Sequence, residues 1–140
     1  MADPAPGLPS VEFMVLSESH RQHWLQLCAA ETDALERRRA LLRQAARAVA
    51  ADLRQRWPGL ALWLFGSVLG PGLHGDSDLD LAVAGLPPAE LLEALSQAEA
   101  CAAAALERLG AAPVVLDLVR LEALPPHWQA RIRAEGEALS

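Results

Sequence analysis

Asp78 and Asp80 stand two residues apart in the run Ser77-Asp78-Leu79-Asp80-Leu81. In an extended chain, residues i and i+2 face the same way. The two carboxylates then project side by side, with Cα atoms roughly 6.8 Å apart, while Leu79, Leu81 and Val83 face the opposite side. Carboxylates held so close repel one another unless a cation lies between them. A hard divalent ion that accepts carboxylate, phosphate and water oxygens suits them, so Mg2+ (or Mn2+) is the expected occupant. Asp117 interrupts the apolar run Val114–Val119. A lone carboxylate is costly to bury in a central strand, which predicts a strand lying beside Asp78–Ala84 with Asp117 reaching the same cluster. Three carboxylates can hold two cations about 3.5–4 Å apart. One would carry a nucleoside triphosphate. The other would lower the pKa of an attacking hydroxyl, with Asp117 as ligand or local base. Gly66-Ser67 lies eleven residues before Asp78. Glycine lets the backbone approach a phosphate closely, and serine adds a hydroxyl and an N–H.

The elements that must position these residues can be read from periodicity. Leu60–Phe65 is a continuous apolar run of strand length that stops at Gly66-Ser67. Val68–Ser77, with Gly70, Pro71, Gly72 and Gly75, reads as a loop holding one short helical turn. Asp78–Ala84 alternates as a strand does. Pro87-Pro88 opens a helix from about Ala89 to Leu109, closed by Gly110. Val114–Val119 is a third strand, and Pro125-Pro126 opens a last helix with Trp128, Ile132 and Leu139 on one face. Upstream, Ser19 with Gln22 and Asp33 with Glu36 fit capping boxes. Leu35, Leu42, Ala46, Val49, Leu53 and Trp57 recur at helical spacing up to Pro58-Gly59. This predicts one long helix, or two broken near Glu31–Asp33. Residues 1–16 read as a flexible N-terminal tail rich in proline, with an apolar patch at Val11–Leu16. Residues 17–140 read as a single domain. The predicted class is α+β: a small mixed sheet covered by helices, with an N-terminal helical extension.

Composition excludes several chemistries. All 12 basic residues are arginine, so a P-loop lysine, a Schiff base and a catalytic lysine are ruled out. Tyrosine is absent as well, which excludes a tyrosine nucleophile. The net charge of −6 argues against nucleic acid as a direct partner. Locally, residues 31–57 carry seven arginines against four acids, densest at Arg37, Arg38 and Arg39. That run reads as a solvated helix face or a partner-docking face. Cys28 and Cys101 fit neither a metal spacing nor a redox pair and are expected as buried free thiols. No apolar run approaches a membrane span and Asp3 replaces any basic leader, so a cytoplasmic protein is expected. Of the four tryptophans, core or interface anchoring is the expected role. His74 is expected to face solvent, and Arg120 to be an exposed strand-end residue or to face phosphate.

The stretch LFGSVLGPGLHGDSDLDLAV resembles the nucleotidyltransferase superfamily that includes DNA polymerase β. More narrowly, it resembles the minimal nucleotidyltransferase (MNT) domains, with their GS…SDxDL motif and a later strand aspartate. The tail LDLVRLEALPPHWQARIRAEGEAL is similar to theirs, and the likeness spans about residues 45–139. It implies the polymerase β-like fold, with Gly66 and Ser67 at the triphosphate, Asp78 and Asp80 as metal ligands and Asp117 as the third acid. The loop after Gly66-Ser67 departs from the family in carrying no arginine, and Gly70 and Gly72 flank the place of its usual glycine. Many MNT domains are antitoxins paired with a HEPN-domain ribonuclease toxin, and some transfer AMP from ATP to a toxin tyrosine. The resemblance therefore implies a nucleotidyltransferase with ATP as substrate and a HEPN protein as partner. A docking-only antitoxin and a small-molecule nucleotidyltransferase are the alternatives.

Overall fold

The computed structural model describes residues 17–74 and 77–140. The expected tail and its Val11–Leu16 patch, and Gly75 in the loop, lie outside the described residues. The chain divides into two compact units, Met1–Ala34 and Leu35–Ser140.

Helix α1 runs over Glu18–Arg56. It is one helix across the expected break, because Glu31–Asp33 contains neither glycine nor proline and Thr32 returns its hydroxyl to the Cys28 carbonyl at 2.9 Å. Its start differs by two residues from the expected cap: Ser17 Oγ accepts from the His20 backbone N–H at 3.4 Å. Every described residue of the first unit is exposed. This includes Cys28, contrary to the expected burial, because its stretch of α1 packs against no described core. In the second unit, Leu42, Ala45, Ala46, Val49, Ala50 and Leu53 recur at three- and four-residue intervals and are buried. They form the stripe a helix lays on a sheet.

That sheet has four strands in the order β3-β2-β1-β4. β1 is Ala61–Phe65, β2 is Leu79–Ala84, β3 is Leu116–Arg120 and β4 is Glu137–Leu139. β1 pairs antiparallel with both β2 and β4, and β2 pairs parallel with β3. A parallel neighbour needs a long crossover. Here it is Pro88–Glu90, a 3-10 turn, followed by α2 at Leu91–Arg108. The stripe Ala94, Ala98, Ala102 and Ala105 of α2 is buried, since small side chains let a helix come close to a sheet.

Alternation along the strands sorts the residues into two faces. Leu62, Leu64, Leu79, Leu81, Val83, Leu116 and Leu118 form the main core with α1 and α2. The opposite face carries a smaller cluster of Ala82, Leu121 and Ile132, flanked by Trp63, Phe65 and Val119. Ile132 belongs to α3, Pro126–Glu135. β4 is a correction to the expected last helix. Leu139 pairs with Leu62 in the sheet and does not share a helical face with Trp128 and Ile132. The chain changes from helix to strand at Gly136, where an added Cβ would lie 2.5 Å from the Ile132 carbonyl oxygen. Only glycine permits that close a return, and the Gly136 N–H still donates to the Ile132 carbonyl at 2.8 Å.

Candidate active site

β1 ends where β2 and β3 begin, so three strand termini gather at one end of the sheet. Asp80 faces Phe65 across the antiparallel pair and Asp117 across the parallel pair. Both acids share the face that carries Phe65, Ala82 and Val119. Asp117 is exposed, which corrects its expected burial: β3 is an edge strand, and among the described residues nothing covers this end of it. Asp78 is half-buried and precedes the first β2 residue. Its place follows from its neighbours: the Leu79 N–H donates to Val115 at 2.9 Å, and the buried Ser77 accepts from the His74 N–H at 2.8 Å. Ser77 thus closes the loop ahead of the acids.

The charges of this cluster act on Asp80. Its pKa is raised from 3.8, first by burial, then by the charges of Asp117 and Asp78, and by a hydrogen bond with Asp117. Burial and the two neighbouring carboxylates thus disfavour the charged form of Asp80, and a cation at the pair would relieve that repulsion. The donors are carboxylate oxygens, the set a hard divalent cation takes, and their mutual repulsion is what such a cation relieves. Among the described residues, no three histidine, cysteine or acidic side chains close on one ion. The tight arrangement is the Asp80–Asp117 pair, with Asp78 within electrostatic reach.

Gly66 presses against the pair. Its φ is +85°, and a Cβ there would lie 2.3 Å from Asp80 Oδ2. The position therefore needs glycine both for its backbone and for the space the carboxylate fills. Ser67–Leu69 follows as a 3-10 turn, with the Leu69 N–H donating to the Gly66 carbonyl at 3.2 Å.

The arginine missing from this loop arrives from α1. Arg39 donates through Nη2 to the Gly70 carbonyl at 3.2 Å and sits 3.5 Å from Glu36. Arg43 lies 3.3 Å from Glu137. The arginine run is thus only partly a solvated face: Arg37 is exposed, and Arg38 and Arg39 are half-buried. Helical spacing put these residues on α1, but the contact with Gly70 spans 31 positions and leaves no sequence signal. Arg120 turns away from the acids, donating to the Leu86 carbonyl at 2.8 Å. His74 is exposed, as expected.

The chain matches the nucleotidyltransferase domain family over residues 46–133, well over half its length. It belongs to that family. The Gly66-Ser67 turn, the Asp78/Asp80 pair and Asp117 lie inside the matched span. No curated protein matches the chain. The mixed sheet, its helices and the N-terminal helix agree with the expected α+β polymerase β-like nucleotidyltransferase fold. Among the described residues, no helix is long and apolar enough to cross a membrane.

Proposed function

We propose that this nucleotidyltransferase domain transfers AMP from ATP to a hydroxyl on a partner protein, as the antitoxin of a HEPN-domain ribonuclease toxin. The observation that carries the reading is the Asp80–Asp117 register pair, with Gly66 packed against its carboxylate. Asp80 and Asp117 would hold Mg2+ (or Mn2+), and Asp78, within electrostatic reach, would be drawn to the same ion. Such an ion supplies charge neutralisation for the triphosphate and lowers the pKa of a bound hydroxyl.

The chain's own residues do the rest. Gly66, without a side chain, leaves the Asp80 carboxylate its place, and Ser67 offers its hydroxyl and N–H to the triphosphate. Asp117, the exposed acid, takes the proton of the acceptor hydroxyl. The acceptor oxygen bonds to the α-phosphorus, the α–β bridging bond breaks, and pyrophosphate leaves. Positioning and charge neutralisation supply most of the rate in such transfers. A protein partner is supported by Trp24, Leu25 and Leu27 on the first turns of α1, each more than half exposed. Apolar residues grouped in this way mark contact surfaces.

The test is incubation with a HEPN protein encoded beside this gene, ATP and magnesium, followed by intact mass measurement. The partner is expected to gain one or more AMP units. This chain gains none at tyrosine, since it has no tyrosine. The Asp78→Ala, Asp80→Ala double variant is expected to lose transfer while still binding the partner. Equal transfer by that variant would overturn the assignment of the acids. Tight binding without transfer by the wild type would favour the docking-only antitoxin.

A further inference from the structure

A cavity of about 470 Å³ opens beside the acids, between the turn after β1 and helix α3. Phe65, Gly66 and Gly70 line one wall, and Trp128, Arg131 and Glu135 the other. Neither Asp80 nor Asp117 lines it. Gly66 does, and Gly66 is also the residue whose missing side chain makes room for Asp80 Oδ2. A nucleotide has the same layout: its base is separated from the reacting phosphate by a ribose. The pocket for the base must therefore adjoin the carboxylates without containing them.

The side chains on α3 suit a flat, hydrogen-bonding ring. Trp128 is 45% exposed, so a large part of its indole faces outward. The Arg131 guanidinium lies 5.4 Å from its ring centroid and donates through Nε to Glu135 Oε2 at 3.1 Å. The i, i+3 and i+4 spacing of helix positions brings the three together. The aromatic surface offers stacking, which every base accepts. Glu135, held by Arg131 through Oε2, offers Oε1 to a donor. An ionised carboxylate only accepts hydrogen bonds. It favours a base with an exocyclic amino group and disfavours one presenting a carbonyl at the same place.

The geometry points to this cavity as the seat of the triphosphate's base, with Glu135 selecting bases that carry an exocyclic amino group. The inference rests on the nucleotidyl-transfer reading above. ATP and ITP separate the two, since ITP replaces the amino group of adenine with a carbonyl and leaves the ribose and triphosphate alone. Tripolyphosphate reports the phosphate site by itself.

Equilibrium binding with Mg2+ is the test. Wild type is expected to bind ATP more tightly than tripolyphosphate, and to favour ATP over ITP by about tenfold, the scale of one charge-assisted hydrogen bond. Glu135→Gln, whose amide can turn to accept or donate, is expected to bring the ATP-to-ITP ratio close to one. ATP is also expected to quench a tryptophan signal that Trp128→Phe removes. Equal binding of ATP and tripolyphosphate by wild type, or an ATP-to-ITP ratio unchanged by Glu135→Gln, would overturn the base pocket and leave the phosphate reading standing. Failure of wild type to bind any of the three would overturn both.

Discussion

Gly66 and Asp80 occupy space that only the pair can share. An alanine at position 66 meets two penalties: a φ of +85° that L-residues rarely adopt, and a Cβ 2.3 Å from Asp80 Oδ2. Backbone strain of this kind costs roughly 1–3 kcal/mol. Gly66→Ala is expected to lower the urea midpoint and to push the Asp80 carboxylate out of place. Binding of ATP with Mg2+ should then fall by more than the loss of stability explains. Asp80 itself makes an opposite prediction. Its folded-state pKa lies above 3.8, so its favourable contribution is complete at low pH and is lost as pH rises through the raised value. In metal-free protein, Asp80→Asn is expected to become more stable than wild type across that rise, because its amide keeps the hydrogen bond to Asp117 without the charge. Urea denaturation in chelator from about pH 4 to pH 7 measures the difference. A constant difference over that range would mean that neither burial nor the neighbouring carboxylates raise the Asp80 pKa in the folded state. The acids were legible in the sequence because alternation fixes which face a strand residue takes. The exposure of Asp117 was not, since strand order decides which strand is an edge, and pairing is a long-range property.

At the scale of elements, the turn after β1 is held from outside its own sequence. Arg39 reaches it from α1, 31 residues upstream. Arg39→Ala is expected to cost about 0.5–1.5 kcal/mol, the worth of an ordinary hydrogen bond. It should also speed amide exchange at Leu69 and Gly70, whose N–H groups close the turn. Arg39→Lys, which keeps a donor and a charge, should recover part of both effects. Unchanged exchange at Leu69 and Gly70 in Arg39→Ala would show that the turn holds itself. Arginine spacing showed that α1 carries a charged run but not what the run touches, because helical periodicity gives a direction without a target. β4 was hidden for a related reason. Three residues are too few for alternation to register, and Glu137-Ala138-Leu139 continues a helical pattern as readily as it starts a strand.

At the scale of the whole molecule, the buried core begins at Leu42 and no described residue before Leu35 is better than exposed. The second unit therefore has the hydrophobic content of a domain without the first. A chain beginning at Leu35 is expected to unfold cooperatively with nearly the same midpoint as the whole protein, and to keep its binding of ATP with Mg2+. Circular dichroism against temperature checks the first point. A large drop in the midpoint would mean that residues 1–34 contribute to the core. Partner binding should weaken in the same shortened chain, because Trp24, Leu25 and Leu27 go with the removed segment.

The place of β4 has a consequence for synthesis. β1, second from one edge of the sheet, gains its outer neighbour only when Leu139 reaches Leu62, and Arg54 of α1 also donates to the Leu139 carbonyl. Those partners follow every other strand of the sheet along the chain. Until then, one side of β1 exposes unpaired backbone groups, and an open edge of that kind invites pairing with another chain. The nascent protein can thus complete the Asp80–Asp117 pair, whose strands lie upstream, before it can seal its own sheet. Pairing of β4 acts as the closing step, and a chain lacking Glu137–Leu139 would keep its acids in place and leave β1 as an open, aggregation-prone flank.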